Sequence, residues 1–192
     1  GDFNNDSIVD IATRNSTTSI SVLMGIGDGS LGIRTDYTVG NTGMTGQGVI
    51  AGDLNGDFYD DLVVADQADD TLSIFINNGS GGFLDRTVIS AFDGPFALAL
   101  GDMNGDGILD VASADLNSST ASIFLGNGDG TFNPPTSATT SGTQVQSVVI
   151  GDHSGDGIND LVVCTYNAAN VDILVANTTK SIIMPYLDLT TQ

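Results

Sequence analysis

Apolar and polar positions along this chain change over in short bursts, and no window carries the apolar spacing of a helix. One set of bursts alternates cleanly: Ser19-Ile-Ser-Val-Leu23, Thr71-Leu-Ser-Ile-Phe75, Thr120-Ala-Ser-Ile-Phe124 and Asn170-Val-Asp-Ile-Leu174. Alternation of this kind predicts strands with one buried face. Before each of the last three stand two further apolar runs. The lead-in runs are Val49 to Ala51, Leu98 to Leu100 and Val148 to Ile150. The second runs are Leu62 to Ala65, Leu109 to Ala112 and Leu161 to Cys164, with Ile8 to Ala12 as the counterpart at the start of the chain. Behind the alternating strand comes a glycine-rich turn (Gly25 to Gly29, Asn78 to Gly82, Gly126 to Gly130), then a less regular fourth strand. Short strands parted by Gly, Asn and Asp turns predict an all-β fold.

Between the first and second strands lies a polar decapeptide, and it recurs. The copies are Gly1-Asp-Phe-Asn-Asn-Asp-Ser-Ile-Val-Asp10, Gly52-Asp-Leu-Asn-Gly-Asp-Phe-Tyr-Asp-Asp61, Gly101-Asp-Met-Asn-Gly-Asp-Gly-Ile-Leu-Asp110 and Gly151-Asp-His-Ser-Gly-Asp-Gly-Ile-Asn-Asp160. Their leading aspartates, Asp2, Asp53, Asp102 and Asp152, lie 51, 49 and 50 residues apart. Four strands in about fifty residues is the size of one propeller blade. The expected fold is therefore an all-β β-propeller of four-stranded antiparallel blades. It forms a single domain over residues 1–192, with repeats at approximately 1–46, 47–94, 95–144 and 145–192. Four blades make either a small closed propeller or part of a larger one. A β-sandwich is the rival, but a sandwich does not require the same loop at a fixed interval.

The decapeptide has the pattern Asp-x-Asn-x-Asp-x-x-x-Asp, with a main-chain carbonyl available two residues after the third ligand. A hard cation such as Ca²⁺ takes six to eight oxygens, and alternate residues of a tight turn can aim oxygens at one centre. Gly56, Gly105 and Gly155 give the turn its backbone freedom, with Asn5 in that place in the first copy. Oxygen-only donors argue against zinc or copper. Asp-Gly and Asn-Gly are also ordinary hairpin turns, but four copies with the same carboxylate offsets favour ligation. The fourth copy has Ser154 in place of Asn, which is expected to weaken that site, and the second has Phe58 where the third and fourth have glycine, which is expected to strain the turn.

Charge fits this picture. The net charge is −20, from 24 acidic and 4 basic residues, and 12 of the acidic residues are the loop aspartates. Four bound Ca²⁺ would bring the charge to −12. A chain this acidic does not bind nucleic acid through phosphates, which need clustered Lys and Arg, and anionic membrane surfaces repel it. No segment has the apolar length to span a bilayer, so no direct membrane insertion is expected. Arg14, Arg34, Arg86 and Lys180 are too scattered in the sequence to form an anion site. The single cysteine, Cys164, sits in an apolar run and is expected to be a buried small hydrophobe. The chain opens at Gly1-Asp2 inside a motif and reads as a processed or excised piece.

These residues resemble the FG-GAP repeat family, also called VCBS-like repeats, of integrin α-chain propellers and many bacterial surface proteins. The loop Gly101 to Asp110 and the downstream Gly-Asn-Gly-Asp-Gly-Thr-Phe at Gly126 to Phe132 carry the signature, and the resemblance covers essentially the whole chain. It implies one Ca²⁺ per repeat, about four in all. The implied ligands are Asp2, Asn4, Asp6, the Ile8 carbonyl and Asp10; Asp53, Asn55, Asp57, the Tyr59 carbonyl and Asp61; Asp102, Asn104, Asp106, the Ile108 carbonyl and Asp110; and Asp152, Ser154, Asp156, the Ile158 carbonyl and Asp160. The C-terminal Met184-Pro-Tyr-Leu-Asp-Leu189 resembles the lead-in Gly94-Pro-Phe-Ala-Leu-Ala-Leu100, and is expected to pair beside the first blade, with Tyr186 near Val9, and close a ring.

No catalytic constellation is found. The one histidine, His153, lies inside the fourth loop and is expected to face solvent, without a serine motif to partner it. The expected function is a non-enzymatic, extracellular or cell-surface calcium-binding module for adhesion or recognition of a protein or carbohydrate. The alternative is an architectural, outward-facing domain of a larger surface protein or filament, because Leu187 to Gln192 is faintly similar to the entry to the C-terminal helices of bacterial flagellins. Candidate contact loops join the second and third strands, at Asn15 to Thr18, Asp66 to Asp70, Asn117 to Ser119 and Asn167 to Asn170, although ordinary polar loops read the same way. With no Trp and 4 Tyr, the chain offers little for a sugar to stack on.

Overall fold

A computed structural model describes residues 1–15, 18–40, 48–167, 170–176 and 182–183. Among these residues fifteen strands form four antiparallel sheets, each built from consecutive strands. The first sheet holds β1 (Ile11–Arg14), β2 (Ser19–Leu23) and β3 (Thr35–Thr38). The second holds β4 (Val49–Gly52), β5 (Asp61–Asp66), β6 (Thr71–Phe75) and β7 (Thr87–Ser90). The third holds β8 (Pro95–Gly101), β9 (Asp110–Asp115), β10 (Thr120–Phe124) and β11 (Thr136–Thr139). The fourth holds β12 (Val145–Gly151), β13 (Asp160–Thr165), β14 (Asn170–Ala176) and β15 (Ile182–Ile183). One 3-10 turn, Gln67–Asp69, is the only helical element among the described residues.

The alternating strands fall where the pattern puts them, and their registers repeat: Ile20 faces Tyr37, Leu72 faces Ile89 and Ala121 faces Ala138. Two of the second strands start later than their apolar runs suggest, at Ile11 and Asp110 instead of Ile8 and Leu109, and the other two start one residue earlier, at Asp61 and Asp160. Ile8 and Ile108 instead pack under the glycine turn. A Cβ on Gly25 would come within 2.6 Å of Ile8 Cγ2, so that turn must begin with a residue lacking a side chain.

Each sheet packs on the next in chain order. Phe3, Ile20 and Val22 meet Leu62, Val64, Phe75 and Phe83. The other face of β5 (Val63, Ala65) meets Val111 and Phe124 of the third sheet. Ala112 and Ala114 of β9 meet Val148, Leu161 and Val163 of the fourth. β5 and β9 are therefore buried along their whole length, and every apolar side chain in them is stabilised by burial, at about 1.5–3 kcal/mol for each Val or Leu.

The fourth sheet differs. Leu161 and Val163 are buried against the third sheet, but strand alternation turns Val162 and Cys164 to the far face, where Cys164 is exposed. The expected burial of Cys164 is thus corrected: the same position in β5 and β9 is covered by a following sheet. The second loop residue obeys the same rule. Phe3, Leu54 and Met103 are buried in successive cores, whereas His153 is exposed. The first sheet has only three strands among the described residues, with a cleft of about 400 Å³ beside β1 and with Val9 and Ile11 exposed. The proposed pairing of Met184 to Leu189 with this edge lies outside the described residues.

Polar residues, most of them buried, recur at the end of each sheet remote from the decapeptides. Five residues after the last loop aspartate stand Asn15, Asp66, Asp115 and Thr165. Opposite, in mid-strand, stand Ser21, Ser73, Ser122 and Asp172. Asn15 donates to Ser19 Oγ and Ser21 Oγ at 2.9 and 2.8 Å. Asp115 accepts from Ser113, Thr120 and Ser122 at 2.7, 2.9 and 2.5 Å. Asp66 accepts from Ser73, and two arginines converge on it, Arg14 at 3.6 Å and Arg86 at 3.9 Å. The sequence scatters these arginines; the fold gathers two of them, though around a carboxylate that consumes their charge. Asp66 and Gln67 are buried, so the first half of that candidate contact loop is structural.

Burial raises the pKa of Asp115, against the hydroxyls of Ser122, Ser113 and Thr120 and with Asp93 adding to the rise. A raised folded pKa means that the folded state holds this proton at a pH where the unfolded chain, near 3.9, has lost it. The group therefore favours folding below the unfolded value, and that contribution disappears as pH rises through the folded value. In chelator, the urea midpoint of the protein is expected to gain on that of Asp115→Asn as pH falls from 7 toward 4. Parallel curves for the two proteins would contradict this.

Candidate metal centres

Each decapeptide joins the first two strands of its sheet, and the first sheet carries its copy ahead of β1. The leading aspartate organises the turn. Asp102 Oδ1 accepts the N–H groups of Asn104, Gly105 and Asp106 at 3.2, 2.6 and 3.2 Å, and Oδ2 accepts that of Gly107 at 2.8 Å. Asp53 does the same with Asn55, Gly56, Asp57 and Phe58, and Asp152 with Gly155, Asp156 and Gly157. In the first copy Asp2 accepts from Asp6 and Ser7 at 3.2 and 2.8 Å. The N–H of Gly157 leads in holding Asp152 below the usual carboxylate range. Asp102 is lowered as well, its N–H donors outweighing desolvation.

Positions three and five face each other across the turn. Asn4, Asn55 and Asn104 donate to Asp6, Asp57 and Asp106 at 2.9, 3.0 and 2.8 Å. The fifth-position carboxylates also accept the N–H of Ile8, Tyr59, Ile108 and Ile158 at 2.8 to 2.9 Å. Ser154, the outlier of the fourth loop, gives its N–H to Asp160 at 2.8 Å.

Position nine does something the pattern did not disclose. Asp10, Asp61, Asp110 and Asp160 are buried, and each bridges backbone donors from two segments. One oxygen accepts from the start of the loop: Phe3, Leu54, Met103 or His153, at 2.7 to 3.0 Å. The other accepts from just beyond the next-but-one strand (Gly25, Asn77 or Gly126) or, in the fourth sheet, from the last residue of β14, Ala176, at 2.7 to 2.9 Å. These aspartates staple the decapeptide to the glycine turn. Burial pushes Asp61 up to about 6, opposed by its two N–H donors and reinforced by the charges of Asp57 and Asp53. Asp110 is raised for the same reasons, with Asp106 and Asp102 adding.

The donor set thus fits a hard cation: it is all oxygen, it repeats, and its carboxylates lie close enough to repel one another. Among the described residues no three acidic, histidine or cysteine side chains already stand together at ion-holding distance. Ligation would require rotation of the Asp and Asn side chains from their N–H donors, with the Asn oxygen turned inward. Asn77 adds a link between loops, donating to the carbonyls of Phe3 at 2.8 Å and Asp60 at 3.0 Å.

Phe58 holds φ at 70° where the third and fourth copies have Gly107 and Gly157 at 83° and 86°, and its side chain is exposed. A left-handed non-glycine residue costs about 1–2 kcal/mol, and glycine returns roughly 0.5–1 of that as chain entropy. Phe58→Gly is expected to stabilise the protein by about 1 kcal/mol, seen as a melting temperature higher by a few degrees. An unchanged or lower melting temperature would show that the turn is unstrained.

The loops, the glycine turns and the fifty-residue period find their match in a known repeat. A family model described as an FG-GAP-like repeat matches residues 2–64, 53–113 and 102–163. The chain belongs to the FG-GAP-like repeat family. Each match spans two decapeptides and the strands between them. No curated protein matches this FG-GAP-like chain. Among solved structures it is similar to a lectin of Agrocybe aegerita described as specifically recognising non-reducing terminal N-acetylglucosamine, with TM-score 0.61, 19% identity, and 84% of this chain covering 44% of that one. It is also similar to BBS1N in its complex with ARL6DN, with TM-score 0.55, 13% identity, and 94% of this chain covering 50% of that one. The FG-GAP-like chain spans about half the length of these structures, and at such identities the likeness is one of fold.

Proposed function

We propose that this chain is a non-enzymatic β-propeller module of an extracellular or cell-surface protein, that it holds about four Ca²⁺, and that it recognises a protein or carbohydrate. The observation that carries the calcium reading is the fourfold recurrence of one oxygen-only turn with Asp at positions one, five and nine. The ligands are those of the four decapeptides, from Asp2 to Asp10, Asp53 to Asp61, Asp102 to Asp110 and Asp152 to Asp160. Asp10, Asp61 and Asp110 keep a free lone pair on each oxygen beyond their backbone bonds, and Asp160, whose Oδ2 takes the N–H groups of both His153 and Ser154, keeps one on Oδ1. Loops of this kind in extracellular modules bind Ca²⁺ at about 10⁻⁴–10⁻³ M, a range filled outside cells and empty in cytosol. The chain matches the fold of about half of two longer chains, which supports a place in a larger ring.

The histidine that a nucleophile pair would need, His153, is exposed in the fourth loop with its own N–H on Asp160. Among the described residues no helix is long and apolar enough to cross a membrane. Titration calorimetry tests the metal reading: close to four Ca²⁺ per chain is expected, and no heat with Ca²⁺ would end it. Recognition is tested separately, on arrays of glycans and extracellular proteins in Ca²⁺ and in chelator. A hit lost in chelator supports it, and a blank array leaves the architectural reading.

A further inference from the structure

The outer seam between the first two sheets opens into a cleft of about 470 Å³, lined among others by Asp36, Tyr37, Phe83, Asp85 and Arg86. Its aromatic wall is built from the core outward. The Tyr37 ring meets Phe83 edge-on, at 5.4 Å between centroids and 90° between planes, and Phe75 at 6.1 Å. Phe75 and Phe83 are buried, whereas Tyr37 is only half-buried and shows part of its ring. Asp36 is held at the rim by Arg34 at 3.0 Å and by Ser21 Oγ at 2.5 Å. Arg86 donates to Ser73 Oγ at 3.2 Å, so its guanidinium is anchored from within.

The repeat supplies its own control. In the next seam the core positions are kept, Phe75 as Phe124 and Phe83 as Phe132. The cleft positions are not. Asp36 and Tyr37 become Val88 and Ile89 in β7, and Asp85 and Arg86 become Pro134 and Pro135. The scaffold therefore does not require a carboxylate pair, a tyrosine and an arginine here.

We infer that this cleft is a binding site for a neutral sugar residue, an inference that rests on the recognition reading above. The volume lies in the range of small-ligand pockets, which combine apolar walls with a few fixed polar groups. A half-exposed ring offers a flat apolar surface to the C–H face of a pyranose. Asp36 and Asp85 accept from neighbouring hydroxyls, and a guanidinium donates to a third oxygen in charge-assisted bonds. Arg34 and Arg86 are matched by Asp36 and Asp85, so the cleft carries no net positive charge, which on a chain of net charge −20 disfavours an anion.

Saturation-transfer NMR on the full chain in millimolar Ca²⁺ tests this, with the methyl glycosides of glucose, galactose and mannose and a trilysine peptide as probes. At least one sugar is expected to bind, and Asp85→Ala and Tyr37→Leu are each expected to weaken it at least tenfold. Asp85 is exposed, so Asp85→Ala should melt as the parent does and keeps the test readable if Tyr37→Leu unfolds. Equal sugar binding by folded variants would overturn the site and leave recognition standing. Binding of trilysine alone, lost in Asp85→Ala, would overturn the sugar in favour of a cationic ligand. No sugar binding with a protein hit on the array would overturn the sugar only, and silence in both would overturn both.

Discussion

Asp66→Ala should lower the free energy of unfolding by about 3–5 kcal/mol, the range for stripping one partner from a buried ion pair. Asp66 is fully buried at the end of β5, and the Arg14 side chain opposite is 8% exposed. Arg14 Nη2 and Asp66 Oδ1 have no hydrogen-bond partner, so they depend on the charge across 3.6 Å. Burial lowers the Arg14 pKa and raises that of Asp66, and each group resists the other's shift. Removing the carboxylate leaves a guanidinium clamped on the Ala65 carbonyl with no counter-charge beyond the seam. Ser73 loses its acceptor and Arg86 its counter-charge as well. For a domain stable by 5–15 kcal/mol this is a large fraction. The measurement is the urea midpoint at unchanged slope. Arg14→Met added to Asp66→Ala should recover part of the loss, because the stranded charge is gone; strictly additive losses would refute the pairing. A loss below 1 kcal/mol would place the pair with surface salt bridges.

The second large effect is that of calcium. If each decapeptide holds one ion, filling a site at ten times its dissociation constant adds about 1.4 kcal/mol, and four sites add roughly 5–6. Thermal unfolding in a few millimolar Ca²⁺ and in chelator should therefore differ by many degrees. Removing one loop's leading aspartate, as in Asp102→Ala, should remove about one ion and its share of the shift. Asp102 also ties four backbone N–H groups, so that variant should be less stable in chelator too. The Ca²⁺-dependent difference is what reports the ion. An identical melting temperature in both conditions would mean that the decapeptides are only turns.

Much of the fold could be read from the chain, because every repeat writes the same instruction. Ser19 to Leu23, Thr71 to Phe75 and Thr120 to Phe124 are strands at the bounds their alternation gives. Period alone could not say which faces are covered. Val163 and Cys164 look alike in the sequence, but one is packed and the other exposed, since that depends on whether a sheet follows. The replacement of Phe3, Leu54 and Met103 by His153 was the available sign that the fourth sheet is uncovered. In the loops, the pattern gave the oxygens but not the second task of position nine. Its N–H donors at Gly25, Asn77 and Gly126 lie 15 or 16 residues away and share no side-chain chemistry. The Asp66 cluster was out of reach for a related reason: Arg14 and Asp66 belong to different repeats. A serine in the centre of three apolar strands, Ser21, Ser73 and Ser122, was the one hint of a polar seam.

Among the described residues every strand pairs only with its neighbours in the chain, and each sheet draws its strands from within about fifty residues. Ribosomal synthesis would therefore release it one finished sheet at a time, each closing its hairpins before the next leaves the exit tunnel and offering its bare face as the template on which the next condenses.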